Sequence, residues 1–203
     1  MKVIQAWTHD KRTDRIKLLE KLGFKLVRKS SLMRMDLANI PSNVRENTQV
    51  GIRPLRRNME EDLKVLNWLD KECFKEHFNY RPTTIEETRH FLLNNPYYDQ
   101  IEHFFAVFNQ KNVGYIGLGI DEKYNIEKNV KVGIILNIGV LKPYRTKGIG
   151  TRLMLYGLEK LKAKGMDKAE LGVDDFNPTR TMKLYEKSGF KVFEKDLTYE
   201  KNF

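Results

Sequence analysis

Ile134-Ile-Leu-Asn-Ile-Gly-Val-Leu-Lys-Pro-Tyr-Arg-Thr-Lys-Gly-Ile-Gly150 decides how the rest of the chain is read. Residues 134–140 form an apolar run of strand length, and from Thr151 onward Leu153, Leu155, Tyr156, Leu158 and Leu161 recur on one side of a helix. A strand therefore runs into a helix through a loop that carries glycines and cations. Such a junction leaves backbone N–H groups uncovered at the positive end of a helix, which suits a phosphorylated ligand. Arg145, Lys147 and Arg152 add full positive charge. A dinucleotide fingerprint would need glycine where Leu153 stands, and no GxxxxGK[ST] run occurs.

The pattern Val140-x-x-Pro143-x-Arg145-x-x-Gly148-x-Gly150 resembles the acyl-coenzyme A loop of the GNAT superfamily of N-acetyltransferases. A second segment, Asn177-Pro-Thr-Arg-Thr-Met-Lys-Leu-Tyr-Glu-Lys-Ser-Gly-Phe190, starts with a good N-cap and first-turn pair. It resembles the GNAT helix whose asparagine contacts the coenzyme and whose tyrosine faces the thioester. The Asn-Pro-Thr opening is similar to that of mycothiol synthase and related tandem-GNAT proteins.

An internal repeat points the same way. Residues 14–27 match residues 180–193 without a gap: Lys17, Leu18, Glu20, Lys21, Gly23, Phe24 and Lys25 recur as Lys183, Leu184, Glu186, Lys187, Gly189, Phe190 and Lys191. Each copy reads as a helix ending near glycine, followed by a strand. Val3–Trp7 and Leu32–Asp36 extend the first copy to strand, helix, strand, strand. Where the second copy has Asn177 and Tyr185, the first has Lys11 and Leu19. Residues 1–40 are thus expected to be a partial, degenerate repeat, 41–49 a linker and 50–203 a complete domain. Half a domain cannot bury its own apolar faces, so it should pack on the complete copy or complete a neighbour in a homodimer.

The complete copy reads β, α, α, β, β, β, α, β, α, β, β. Val50–Leu55 is its first strand, Asp62–Trp68 and the segment from Thr84 its first helices, and Asn109–Asn112 the link of a hairpin. The expected fold class is α/β, a mixed central sheet with helices on both faces.

The composition excludes several other classes. The chain has 203 residues, a net charge of +10 and a single cysteine, Cys73, so no intrachain disulfide forms and a reducing cytoplasm fits. No stretch approaches the roughly 18 apolar residues of a membrane span. No interleaved basic and aromatic stripe supports nucleic acid as the partner, and the histidines lack metal-ligand spacing.

The resemblance implies acetyl-CoA as cosubstrate, no metal, and transfer of its acetyl group to a primary amine. The pantetheine arm would lie along Ile138, Gly139 and Val140, and the diphosphate on Arg145, Thr146, Lys147, Gly148, Ile149, Gly150 and Thr151, with Asn177 as a further contact. Tyr185 is the expected proton donor to the leaving thiolate. Candidates for the base are Glu170, Asp174, Asn137, Glu76 and His77. Phe74, Glu76, His77 and Tyr80, between the first two helices, suit a lid over the acceptor. The alternative left open is a non-catalytic coenzyme-binding or interaction module.

Overall fold

The structure, a computed structural model, describes residues 2–42, 49–77, 80–176 and 181–202. The elements in chain order are β1 (Val3–His9), α1 (Thr13–Lys21), β2 (Lys25–Asp36), β3 (Gly51–Pro54), α2 (Glu60–Phe74), α3 (Ile85–Leu93) and β4 (Gln100–Phe108). There follow β5 (Lys111–Ile120), α4 (Glu122–Lys128), β6 (Val132–Val140), α5 (Ile149–Ala163), β7 (Lys168–Asp174), α6 (Thr181–Lys187) and β8 (Lys191–Asn202). The fold is α/β, as expected. It divides into two compact units, Asp36–Ala169 and Met1–Met35 with Glu170–Phe203.

In the first of these, β3, β4, β5 and β6 are neighbours in that order and pair antiparallel. Asn109 and Gln110, both with positive φ, turn β4 into β5 as a two-residue hairpin loop. Side chains alternate across the strands, so helices cover both faces. Tyr115 enters the cluster of Leu63, Leu66, Leu69, Leu92, Ile101 and Phe105 under α2 and α3. Ile116 and Leu118 point the other way, toward Gly157 of α5.

One irregularity changes this alternation. Gly117 pairs with Asn137 and Leu118 with Ile135, which leaves Leu136 as an extra residue on β6. A Cβ on Gly133 would strike Leu161 of α5, whereas one on Gly139 would strike Cys73 of α2. The two glycines have the same parity and face opposite ways because of the bulge between them.

In the second unit the order is β1, β8, β2, β7, and β8 pairs antiparallel with both β1 and β2. The N-terminal strands thus pair with the C-terminal strand of their own chain. Leu19, Leu197 and Tyr199 form one buried cluster with Ala6, Ile16 and Phe24 against them. The β2–β8 register is symmetric about Ser30↔Asp196. Positions 166 apart exchange roles, so that Lys25↔Glu200 mirrors Arg34↔Lys191 and Leu26↔Tyr199 mirrors Met33↔Val192. Val27 is skipped in the pairing of β2, and its counterpart Phe193 in that of β8.

The strand that ends each repeated segment and helix α4 differ from the sequence reading. Each copy ends in one bulged strand of 12 residues rather than two strands, because the bulges at Val27 and Phe193 bend the strand without breaking its ladder. Helix α4 was not expected. It is started by Asp121, whose side chain accepts from Tyr124 N, and ended by Asn129 in the left-handed conformation. Its Tyr124 and Ile126 are exposed, so no apolar stripe marks it.

Asp62 ties the start of α2 to β3. Its carboxylate is almost wholly buried and accepts from Arg53 Nη1 at 2.8 Å, Arg56 Nε and Nη2 at 3.0 Å and Arg56 N at 2.9 Å. The bonds from Arg56, and then those from Arg53, outweigh burial and hold its pKa well below the ordinary carboxylate range. The ionised form is therefore favoured by folding, and this contribution is present above the unfolded pKa of about 4 and lost as pH falls. Asp62→Asn should cost about 2 kcal/mol at neutral pH, as loss of hydrogen bonds to a charged group does. Denaturant melts between pH 7 and 2.5 should show a shallower acid decline for the variant than for the wild type.

Candidate functional site

The loop after β6 is built from backbone more than from side-chain charge. Lys142–Tyr144 make a short 3-10 turn, Thr146 has φ 63° and Gly148 φ 76°, and α5 starts at Ile149. Left-handed backbone is ordinary for Gly148 and costly for a β-branched residue such as Thr146, a strain that clusters at functional sites. No side chain caps α5 and no acid stands in its first turn. Its first N–H groups lack intrahelical partners, and the 15-residue helix dipole adds positive potential there.

Arg145 does not project as a phosphate clamp. Its Nε donates to Val140 O at 2.9 Å and its Nη2 to Cys73 O at 3.4 Å, bracing the end of β6 and the end of α2. Lys147 Nζ lies 5.5 Å from the centroid of the Tyr144 ring. Ile138 is buried, and Gly139 is closed over by Cys73 and Phe74, so these positions offer main chain rather than side chain to a ligand. Burial pushes the Cys73 thiol up to about 12, which makes it an apolar filler rather than a nucleophile.

On the α2–α3 side of the same unit lies a pocket of 760 Å³ whose wall includes Asp70, Phe91, Tyr97, His103, Tyr115 and Asn137. Tyr115 donates its hydroxyl to Asp70 Oδ1 at 2.6 Å, and burial together with Asp70 drives the phenol pKa far upward. The His103 ring stacks on Tyr115 at 6.2 Å between centroids. Burial, then the charge of Arg57, lowers the His103 pKa to about 4. His103 Nδ1 and Asn137 Oδ1 are buried and have no hydrogen-bond partner among the described residues. Gly117 makes their approach possible, since a Cβ there would stand 2.4 Å from Asn137 Oδ1 and 2.7 Å from His103 Nε2.

Of the residues expected around the acceptor, only Asn137 is on this wall. Phe74 lies edge-on to His77 at 4.8 Å and to Tyr115 at 6.3 Å, and Glu76 pairs with Lys142 at 3.6 Å. The Tyr80 hydroxyl is buried next to Asp70, and burial, then the charge of Asp70, raises its pKa. Phe74, Glu76, His77 and Tyr80 are not among the pocket's lining residues. In the other unit Glu170 binds Arg34 Nε at 2.6 Å and Asp174 binds Arg28 Nε at 3.0 Å, so both carboxylates are held in ion pairs. Tyr185 is buried on α6 with Phe190 at 6.3 Å, and burial raises its hydroxyl to about 12. Asn177 lies outside the described residues. Asp70, His103 and Tyr115 were missed by the sequence reading. The glycines of Gly114-Tyr-Ile-Gly-Leu-Gly119 were the available signal, because repeated glycine within a strand marks close approach.

Residues 63–190 match the profile of the family described as "Acetyltransferase (GNAT) family". A mycothiol acetyltransferase of Thermobispora bispora is 24% identical over 200 residues, 98% of this chain and 66% of that protein. Among solved structures, a GCN5-related N-acetyltransferase from Sphaerobacter thermophilus superposes with a TM-score of 0.74 at 21% identity, over 98% of this chain and 59% of that one. A tandem GNAT protein from the clavulanic acid biosynthesis pathway gives 0.70 at 12%, over 98% and 63%. The chain thus spans about two thirds of the length of these proteins.

The lowered pKa of His103 has a measurable consequence. Its ring stays neutral in the folded protein down to about pH 4, while the unfolded chain protonates near 6.5. Its contribution to stability is complete above 6.5 and is lost as pH falls through about 4. Imidazole NMR resonances of His103 should not titrate between pH 8 and 5.5, and His103→Phe should flatten the stability profile between about 6.5 and 4.

Proposed function

The chain belongs to the GNAT acetyltransferase family, and on that premise we propose that it transfers the acetyl group of acetyl-CoA to a primary amine by direct attack in a ternary complex. The acceptor is a small molecule or an amine of a protein or peptide. The observation that carries this reading is the loop from Arg145 to Thr151, with an uncapped, acid-free helix start and left-handed backbone at Thr146 and Gly148. It fits an anionic diphosphate through main-chain N–H groups. In this reading the main chain of Ile138, Gly139 and Val140 holds the pantetheine arm as an added strand would, and Asn177 is a further coenzyme contact.

Acetyl-CoA supplies an activated thioester; the protein's residues do the rest. The amine nitrogen forms the new N–C bond as the C–S bond breaks, its own proton passing to solvent. Tyr185 delivers a proton to the departing sulfur and regains one from solvent. A hydroxyl raised to about 12 is protonated at neutral pH, as a donor must be. Residues 1–40 are read as a degenerate partial repeat that supports the sheet, 41–49 as the connection and 50–203 as the catalytic copy. The name of the mycothiol acetyltransferase relatives does not carry the acceptor over at 24% identity. That part is set by the pocket.

The test is release of free coenzyme A thiol from acetyl-CoA across polyamines, amino acids, amino sugars, arylalkylamines and peptide N-termini. Turnover confined to one class is expected. Tyr185→Phe should lower turnover by about 10²-fold with coenzyme binding little changed. Equal turnover in the variant would remove Tyr185 from the chemistry. Protein that is stabilised by acetyl-CoA yet silent with every acceptor would favour a binding module.

A further inference from the structure

We propose that the pocket wall formed by Asp70, His103 and Asn137 is the ammonium subsite of the acceptor, and that the acceptor is a small monoamine carried on an apolar or aromatic body. The inference rests on the acetyl-transfer reading only for the word acceptor; the binding it describes stands apart from turnover.

Unmade hydrogen bonds come first. A buried polar atom without a partner costs about 1–3 kcal/mol, and folded proteins rarely tolerate it without a reason. Here two such atoms, His103 Nδ1 and Asn137 Oδ1, belong to residues on the wall of one pocket, and His103 is only 5% exposed. An amide oxygen can only accept, so an occupant that satisfies Asn137 brings a donor. At the point where a Gly117 side chain would begin, Asn137 Oδ1 meets the other ring nitrogen of His103, Nε2, so the amide oxygen and the imidazole edge converge on one small space.

Charge sets the sign of that group. The ionised residues on the wall are Asp70, Glu86, Glu87 and Arg81, and Arg81 is matched by Glu87 at 2.9 Å. The balance on the wall is negative, His103 adds no cation because its ring is neutral, and the cation acting on His103, Arg57, is not among the wall residues. Asp70 is fixed by the Tyr115 hydroxyl, an arrangement that presents a carboxylate in a set orientation. A donor entering such a wall is favoured as an ammonium or amine over an anion.

The remaining wall sets the body. Leu66, Phe91, Pro96, Tyr97 and Tyr115 supply apolar surface. A volume of 760 Å³ holds a drug-sized molecule with room to spare. A second cationic end, as in a polyamine, would lose its hydration against these apolar groups unless it reached the exposed Glu86.

Calorimetric binding of 2-phenylethylamine and of 3-phenylpropionate to the full chain, with and without acetyl-CoA, separates the alternatives. The amine should bind and the carboxylate, with a similar body and opposite charge, should not. Asp70→Asn and Asn137→Leu should each weaken the amine about tenfold or more while acetyl-CoA affinity and melting temperature stay near wild type. His103→Phe, which keeps a ring against Tyr115, should do the same. Equal binding of both probes, or wild-type amine affinity in the folded variants, overturns the subsite. Amine binding without thiol release would leave the subsite standing and count against acetyl transfer. Thiol release with other amines and no binding of 2-phenylethylamine would do the reverse.

Discussion

Leu136 has no partner across β5, and that single extra residue determines what the face under α2 and α3 can offer. In an unbroken ladder Asn137 and Gly139 would share the face of Gly133 and Ile135, against α5. With the bulge, Gly139 faces Cys73 and Asn137 faces His103, while Leu136 stays in the cluster around Tyr115. The rest of the sheet accommodates this locally. Gly117 leaves space where Asn137 and His103 converge, and Gly114 is needed because a Cβ there would lie 2.6 Å from Gly139 O. A bulge that re-aims one polar side chain is a common way to place function on a sheet without altering its topology.

The loop after β6 shows a similar division between framework and function. Read as sequence, its cations are the attraction for a phosphate. In the structure Arg145 is used between two backbone carbonyls, which ties the end of β6 to the end of α2. The charge next to the loop therefore comes with geometry fixed by a brace, and in the proposed reading the diphosphate would meet the N–H groups of α5's first turn. Such groups bind without reorganising, which is why main-chain sites tolerate variation in the side chains around them.

Legibility in the sequence followed from whether a signal was local. The β6–loop–α5 junction, the start of α3 at Thr84 and the hairpin at Asn109 were readable because each is written within a few consecutive residues. The wall of the pocket was not, since Asp70, His103, Tyr115 and Asn137 sit on α2, β4, β5 and β6 and converge only through register and one bulge. Histidine spacing, the test applied to His103, asks about metal ligands, whereas what distinguishes His103 is burial without a partner. No linear pattern encodes that.

The repeated segments give a comparison that bears on Tyr185 directly. Gly23 and Gly189 both have positive φ, Phe24 N bonds Leu19 O, and Phe190 N bonds Tyr185 O, each at 3.0 Å. The helix end is therefore built the same way in both copies, and Leu19 and Tyr185 occupy equivalent places with 8% and 7% exposure. Packing at this place is met by leucine in one copy. Tyrosine in the other adds a hydroxyl that burial penalises once it ionises and that contributes nothing a leucine lacks to the apolar contact. Packing of the kind Leu19 provides does not require the phenol, and the proton-donor role proposed for Tyr185 would give that hydroxyl a use.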